Sequence, residues 1–159
     1  MTHTIDIKKD RLRYTKNTTS ATLSYVAILF NVLYFVSIYN TDVGNYYYTM
    51  NIGFSVIANL LFLLFTFLCS EGVKNYNISY AIALIPIGIF QLIRILGIPT
   101  DAHNTVLLLG EGEVRVMDDS QFTWLVICLV ISAISCFAAA AIGIHKSTTL
   151  KNYEKQLNK

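Results

Sequence analysis

The chain has 159 residues, of which 54% are hydrophobic and 14% charged, and its net charge is +2. Soluble domains carry about 25% charged residues, so the deficit argues against a solvated globular enzyme and against a disordered chain. The small net charge argues against nucleic acid as a partner, and what remains is a small integral membrane protein.

A helix that crosses a bilayer takes about 20 mostly apolar residues. In chain order, residues 1–20 form a polar segment with Lys8, Lys9, Arg11, Arg13 and Lys16. The first apolar run covers 21–39. It is too long for a signal peptide, its polar leader is too long as well, and no small-x-small cleavage pattern follows at Tyr39 and Asn40. The loop 40–50 holds Asp42 and the triplet Tyr46, Tyr47, Tyr48. Aromatic rings with polar tips suit the headgroup level, although the triplet also suits a sugar or a partner.

The second run covers 51–69 and is bulky all round, as a lipid-facing helix should be. A short loop, 70–77, holds Glu71 and Lys74. The third run, 78–98, contains Pro86, Gly88, Gln91 and Arg94. The loop 99–123 follows, with Arg115 set against Asp101, Glu111, Glu113, Asp118 and Asp119. Its apolar run 105–109, the turn-forming Gly110 to Glu113 and the alternating 114–117 predict a β-hairpin. The fourth run covers 124–144. The tail 145–159 carries Leu150, Tyr153 and Leu157 at helical spacing, with Lys146, Lys151, Lys155 and Lys159. This stripe fits a helix lying on the membrane surface or a docking helix for a partner.

Basic residues mark the cytoplasmic side. Ten lie in the two terminal segments and the 70–77 loop, and one in the other two loops. Both termini are therefore expected in the cytoplasm, with the hairpin outside. The sequons at Asn17 and Asn77 then lie on the cytoplasmic side and would not be glycosylated.

Backbone groups in hydrocarbon must be satisfied internally, so all four runs are read as helices. The expected fold is an all-α integral membrane protein, an up-down bundle of four transmembrane helices with a short extracytoplasmic β-hairpin loop. The organisation is a cytoplasmic segment 1–20, a transmembrane domain 21–144 and a cytoplasmic amphipathic tail 145–159.

Ionisable groups at membrane depth are costly and are the first place to look for function. Of the charged residues, only Arg94 lies within a run. Gln91 shares its face, Asn59 lies at a comparable depth in the second helix, and Asn31 is near the middle of the first. These four residues form the candidate intramembrane cluster. One reading has the amides bonding between helices while Arg94 pairs with Asp101. Another has them lining an outward-facing pocket for a polar or anionic ligand, and a third has them touching a second membrane protein.

The fourth run carries Ser135, Ala139 and Gly143 at four-residue spacing, and Ser132, Cys136 and Ala140 as a second row. Small residues allow close helix packing, so two packed sides are expected, one on the bundle and one open to lipid or another chain. Cys69, Cys128 and Cys136 have no disulfide or zinc spacing and read as buried small hydrophobes. His103 with the acids of the 99–123 loop is a weak candidate for a divalent cation, but acidic outer loops also follow from topology. No nucleotide loop, zincin pattern or serine elbow occurs, and no acid lies in a span.

The chain is therefore expected to be a non-enzymatic protein of the cell membrane without cofactor or metal. Its partners are expected to be the lipid bilayer and a membrane protein or a second copy of itself. The leading expectation is an accessory or regulatory subunit of a larger, transporter-type assembly. The alternative is a small homo-oligomeric transporter or channel using the Arg94 cluster.

Overall fold

The computed structural model describes residues 7, 10–39, 49–109 and 112–157, with side chains except at 39, 49–52 and 107–114. The tyrosine triplet of loop 40–50 thus lies outside the described residues. The elements are α1 (Thr18–Tyr39), α2 (Thr49–Lys74), α3 (Ile78–Ile93), a 3-10 turn (Arg94–Leu96), α4 (Ile98–Asn104), β1 (Val106–Leu109), β2 (Gly112–Arg115) and α5 (Asp119–Leu157). Four helical stretches are long and apolar enough to cross a membrane: Thr18–Ile38, Gly53–Lys74, Ile78–Asn104 and Asp119–Leu157.

Local chemistry sets the helix ends. Asn17 caps α1, its Oδ1 accepting from the Ser20 amide. α2 ends in a double-bonded C-cap: the Tyr76 amide donates to Val73 O and the Asn77 amide to Gly72 O. That closure needs a left-handed residue, and Tyr76 supplies it at φ 57 where glycine is usual. Asn77 then caps α3 through the Ser79 amide. Asp118 caps α5 through the Gln121 amide at 2.8 Å.

α1 packs on α2 and α5, and α3 packs on α2 and α5, so the helices form a closed ring in which α5 neighbours α1. At one end, here the terminal end, the start of α1, the turn between α2 and α3, and Lys146 of α5 meet. The Asn17 amide donates to Lys74 O, and Lys146 Nζ donates to Asn17 Oδ1 at 3.0 Å. At the far end the Trp124 indole donates to Ser37 Oγ. There α4 places Ala102, together with Met117, over Tyr34, Ile38, Leu125 and Leu129. β1 and β2 pair antiparallel, with Val106 opposite Arg115 and Leu109 opposite Gly112.

α5 is the central helix. Half of its most apolar stretch is buried, against 28% for α2. Both small-residue rows account for this, since Ser135, Ala139 and Gly143 and also Ser132, Cys136 and Ala140 are all buried. The expectation that one row stays open to lipid or another chain is corrected: α1 covers one side of α5 and α3 the other. A Cβ on Gly143 would lie 2.9 Å from Ala81 Cβ and 3.0 Å from Val73 Cγ1. All three cysteines are free and buried.

Two further boundaries differ from expectation. The third run is not one helix over 78–98. α3 stops at Ile93, tightens into the 3-10 turn at Arg94 and breaks at Gly97, and α4 starts with Pro99 in its first turn. Proline suits a first turn because its missing N–H needs no partner there. The tail is not a separate helix on the membrane surface. It continues α5, whose 39 residues rise about 58 Å against a hydrocarbon core of about 30 Å. The part of α5 beyond Ile144 extends past the apolar stretch.

Candidate functional site

The candidate site lies in the far half of the bundle, where the end of α3 turns a long basic side chain back between its neighbours. Asn31, Asn59 and Gln91 are fully buried, and Arg94 is half-buried. Asn31 sits past the middle of α1, and Asn59 lies 10 residues into α2, so antiparallel packing brings both level with the end of α3.

The structure brings all four expected residues together. Arg94 Nη1 donates to Asn31 Oδ1 at 2.7 Å and to Gln91 Oε1 at 2.7 Å. Arg94 Nη2 donates to Asn59 Oδ1. One guanidinium thus bridges α1 and α2 from α3, which the planar fork of arginine allows and a single lysine ammonium does not match. Gln91 Nε2 donates to Asn31 Oδ1 at 3.1 Å and to Ser132 Oγ at 2.9 Å. Ser132 Oγ in turn donates to Ala27 O of α1. The network touches all four long helices.

Two members were not singled out as polar partners from the sequence. Ser132 reads there as one element of a packing row, yet it links Gln91 to α1. Tyr34 presents its ring 4.6 Å from the Arg94 guanidinium carbon, and a second ring, Phe90, lies at 6.0 Å. A cation over an aromatic face is favourable, more so when desolvated. The signal was present for Tyr34, which follows Asn31 by three positions and shares its helical face.

The amide orientations follow from the donors around them. Arg94 and Gln91 both donate to Asn31 Oδ1, so that oxygen faces them and Asn31 Nδ2 faces away. Asn31 Nδ2 is buried with no hydrogen-bond partner. Three acceptors of Arg94 in this network, Asn31 Oδ1, Gln91 Oε1 and Asn59 Oδ1, are neutral amide oxygens. Asp101, the acid nearest in sequence, is exposed, and its carbonyl accepts from Thr105 Oγ1.

In the loop 99–123, His103 Nε2 lies 2.8 Å from Asp119 Oδ1, and Arg115 Nη1 donates to the same oxygen at 3.0 Å. The His103 ring packs on Phe122 at 4.5 Å. Asp119 is thus shared between two basic side chains. Among the described residues no group of three His, Cys, Asp or Glu side chains gathers as a metal site would. Glu111 and the side chain of Glu113 lie outside that description.

The terminal end holds a second polar node that the sequence did not single out. Asn17 Oδ1 accepts from Lys146, and Lys146 also reaches Thr19 Oγ1 at 3.4 Å. Tyr25 OH donates to Glu71 Oε1 at 2.7 Å, and Lys74 pairs with the same carboxylate.

Four apolar membrane-length helices around a buried arginine–amide network define a multi-pass helical membrane protein. Compared with protein-family models, curated proteins and solved structures, the chain gives no match.

Proposed function

We propose that the protein is a non-enzymatic accessory or regulatory subunit of a larger membrane assembly of transporter type. It resides in the cell membrane with both termini cytoplasmic and the loop 99–123, with its strand pair, outside. The observation that carries this reading is the uninterrupted α5, which runs beyond the apolar stretch to Leu157. Its last turns carry Leu150 and Tyr153 half-buried and Leu157 at 53% exposure. Through Glu154 this part of α5 borders clefts shared with residues 12–16 and the α2–α3 turn, and a helix carrying an apolar stripe past the apolar stretch is an element that a cytoplasmic partner can bind along one face. The arginine–amide network supports the same reading, because its groups bond to one another across the helices as a scaffold does.

Purification in mild detergent or nanodiscs after in-cell crosslinking tests this. A membrane-protein partner should co-purify with the full chain and be lost when residues 148–159 are removed. A full chain that elutes alone after crosslinking overturns the reading.

A second reading has one specific observation behind it. Asn31 Nδ2, buried and without a partner, adjoins Arg94. A small homo-oligomeric transporter or channel would use that donor and the Arg94 charge for a polar or anionic ligand. Flux in liposomes that is lost on Asn31→Leu substitution, with the protein still folded, would favour it over the subunit reading.

A further inference from the structure

Three separate pieces of chain converge just past the terminal ends of the spans. The Asn17 amide, donating to Lys74 O, pins residues 12–16 beside the α2–α3 turn. Thr15 Oγ1 and Tyr76 OH, 3.5 Å apart, tie the same two segments a second time. α5 continues without a break through Ser147 to Glu154 and supplies the third wall. Two clefts of about 280 and 300 Å³ lie between these segments and share Tyr76, Leu150 and Glu154. Tyr76 is the residue that takes φ 57 to close α2, so both clefts have a ring in their lining where a glycine would leave none.

Tyr76 and Asn77 fall between an apolar stretch that ends at Lys74 and one that starts at Ile78, so the clefts lie at the edge of the apolar layer, where headgroups begin. Their basic lining residues are Arg13, Lys16, Lys74 and Lys151, and their one acid is Glu154. Arg13 lies 3.7 Å from Asp10, and Lys74 pairs with Glu71, so those two charges are already matched. Among the described residues no hydrogen bond or ion pair holds Lys16 Nζ or Lys151 Nζ. Ser147 lines the same cleft as Lys151, and its Oγ is buried with no hydrogen-bond partner. Two unmatched lysines against Glu154 leave the clefts with a positive surplus, which an anion complements.

We propose that these clefts bind the headgroup of an anionic phospholipid in the leaflet nearer the terminal end, with Lys16 drawing its phosphate from one cleft and Lys151 from the other. A lipid is favoured over a soluble phosphate ester because the clefts open where headgroups already lie. Each lysine near an anionic headgroup contributes about fivefold in affinity. The inference does not rest on the subunit reading, since the binding is read on the purified chain with no partner present.

The test titrates the full chain, purified in mild detergent, with phosphatidylglycerol or phosphatidylcholine and counts bound lipid by native mass spectrometry. Phosphatidylglycerol should bind the tighter of the two. Lys16→Gln and Lys151→Gln should each weaken it about fivefold and leave phosphatidylcholine unchanged. Lys155→Gln removes the same charge from the same helix outside the cleft linings and should weaken phosphatidylglycerol less than twofold. Glu154→Gln removes the opposing charge and should tighten it. Glycerol 3-phosphate carries the phosphate without the lipid and should not displace phosphatidylglycerol. Equal binding of the two lipids overturns the proposal. An equal loss in Lys155→Gln overturns it as well, because the attraction then belongs to a diffuse basic surface. Weaker binding in Glu154→Gln, or displacement by glycerol 3-phosphate, overturns the assignment of an anionic lipid.

Discussion

Arg94 Nη1 donates to Asn31 Oδ1 at 2.7 Å, joining α3 to α1 across 63 positions of sequence. Asn31 Oδ1 also accepts from Gln91, so both of its lone pairs are used while the other arm of the guanidinium holds Asn59. The contact converts a costly intramembrane charge into a tie between three helices.

The tie should be measurable as coupling. In a cycle of Arg94→Ala, Asn31→Ala and the double substitution, the interaction should be about 1 kcal/mol, within the range found for polar contacts between membrane helices. Arg94→Lys should recover less than half of the loss, since one ammonium cannot reproduce the fork. Reversible unfolding in bicelles reads both, and additive single effects would remove the tie.

Packing at Gly143 is tight and predicts a graded response. Gly143→Val places branched carbons against Ala81 and Val73 and should cost about 1–3 kcal/mol, as overpacking does. Gly53, where a Cβ would meet nothing within 4 Å, is the matched control. Gly53→Val should leave the unfolding midpoint nearly unchanged. Similar effects at both positions would contradict the packing described.

Asn17 serves two helices, capping α1 and accepting from Lys146 of α5. Asn17→Ala should destabilise the terminal end by about 1–2 kcal/mol, the upper part of the range for a lost N-cap. Asn17→Asp should retain the cap and strengthen the pairing with Lys146. Hydrogen exchange at the first turn of α1 is the local readout, with faster exchange expected only in Asn17→Ala.

The proposed orientation predicts a labelling pattern. Cys69, Cys128 and Cys136 are buried, so the native background should be low. Ser120→Cys should react with an impermeant maleimide on intact cells. Lys155→Cys should react only after permeabilisation. The reverse pattern would place the termini outside.

Much of the helical framework is legible from composition along the chain. An uninterrupted apolar run leaves the backbone no water to bond to, so helix is the one local solution, and α1, α2 and α5 lie where the runs lie. The depth of Asn31, Asn59, Gln91 and Arg94 is legible for a related reason, since each residue adds a fixed rise. Residues 94–104 were less legible, because Arg94, Gly97 and Pro99 alter the helix without interrupting its apolar pattern.

What the sequence by itself determined is position along the membrane normal: which segments are helical, and which polar groups share a level. Rotation about each helix axis was left to the tertiary structure. Hydrophobicity does not distinguish a lipid-facing side of a membrane helix from a protein-facing one, because lipid is as apolar as leucine. Only packing decided that both small-residue rows of α5 face its own bundle and that Ser132 and Tyr34 join the Arg94 network.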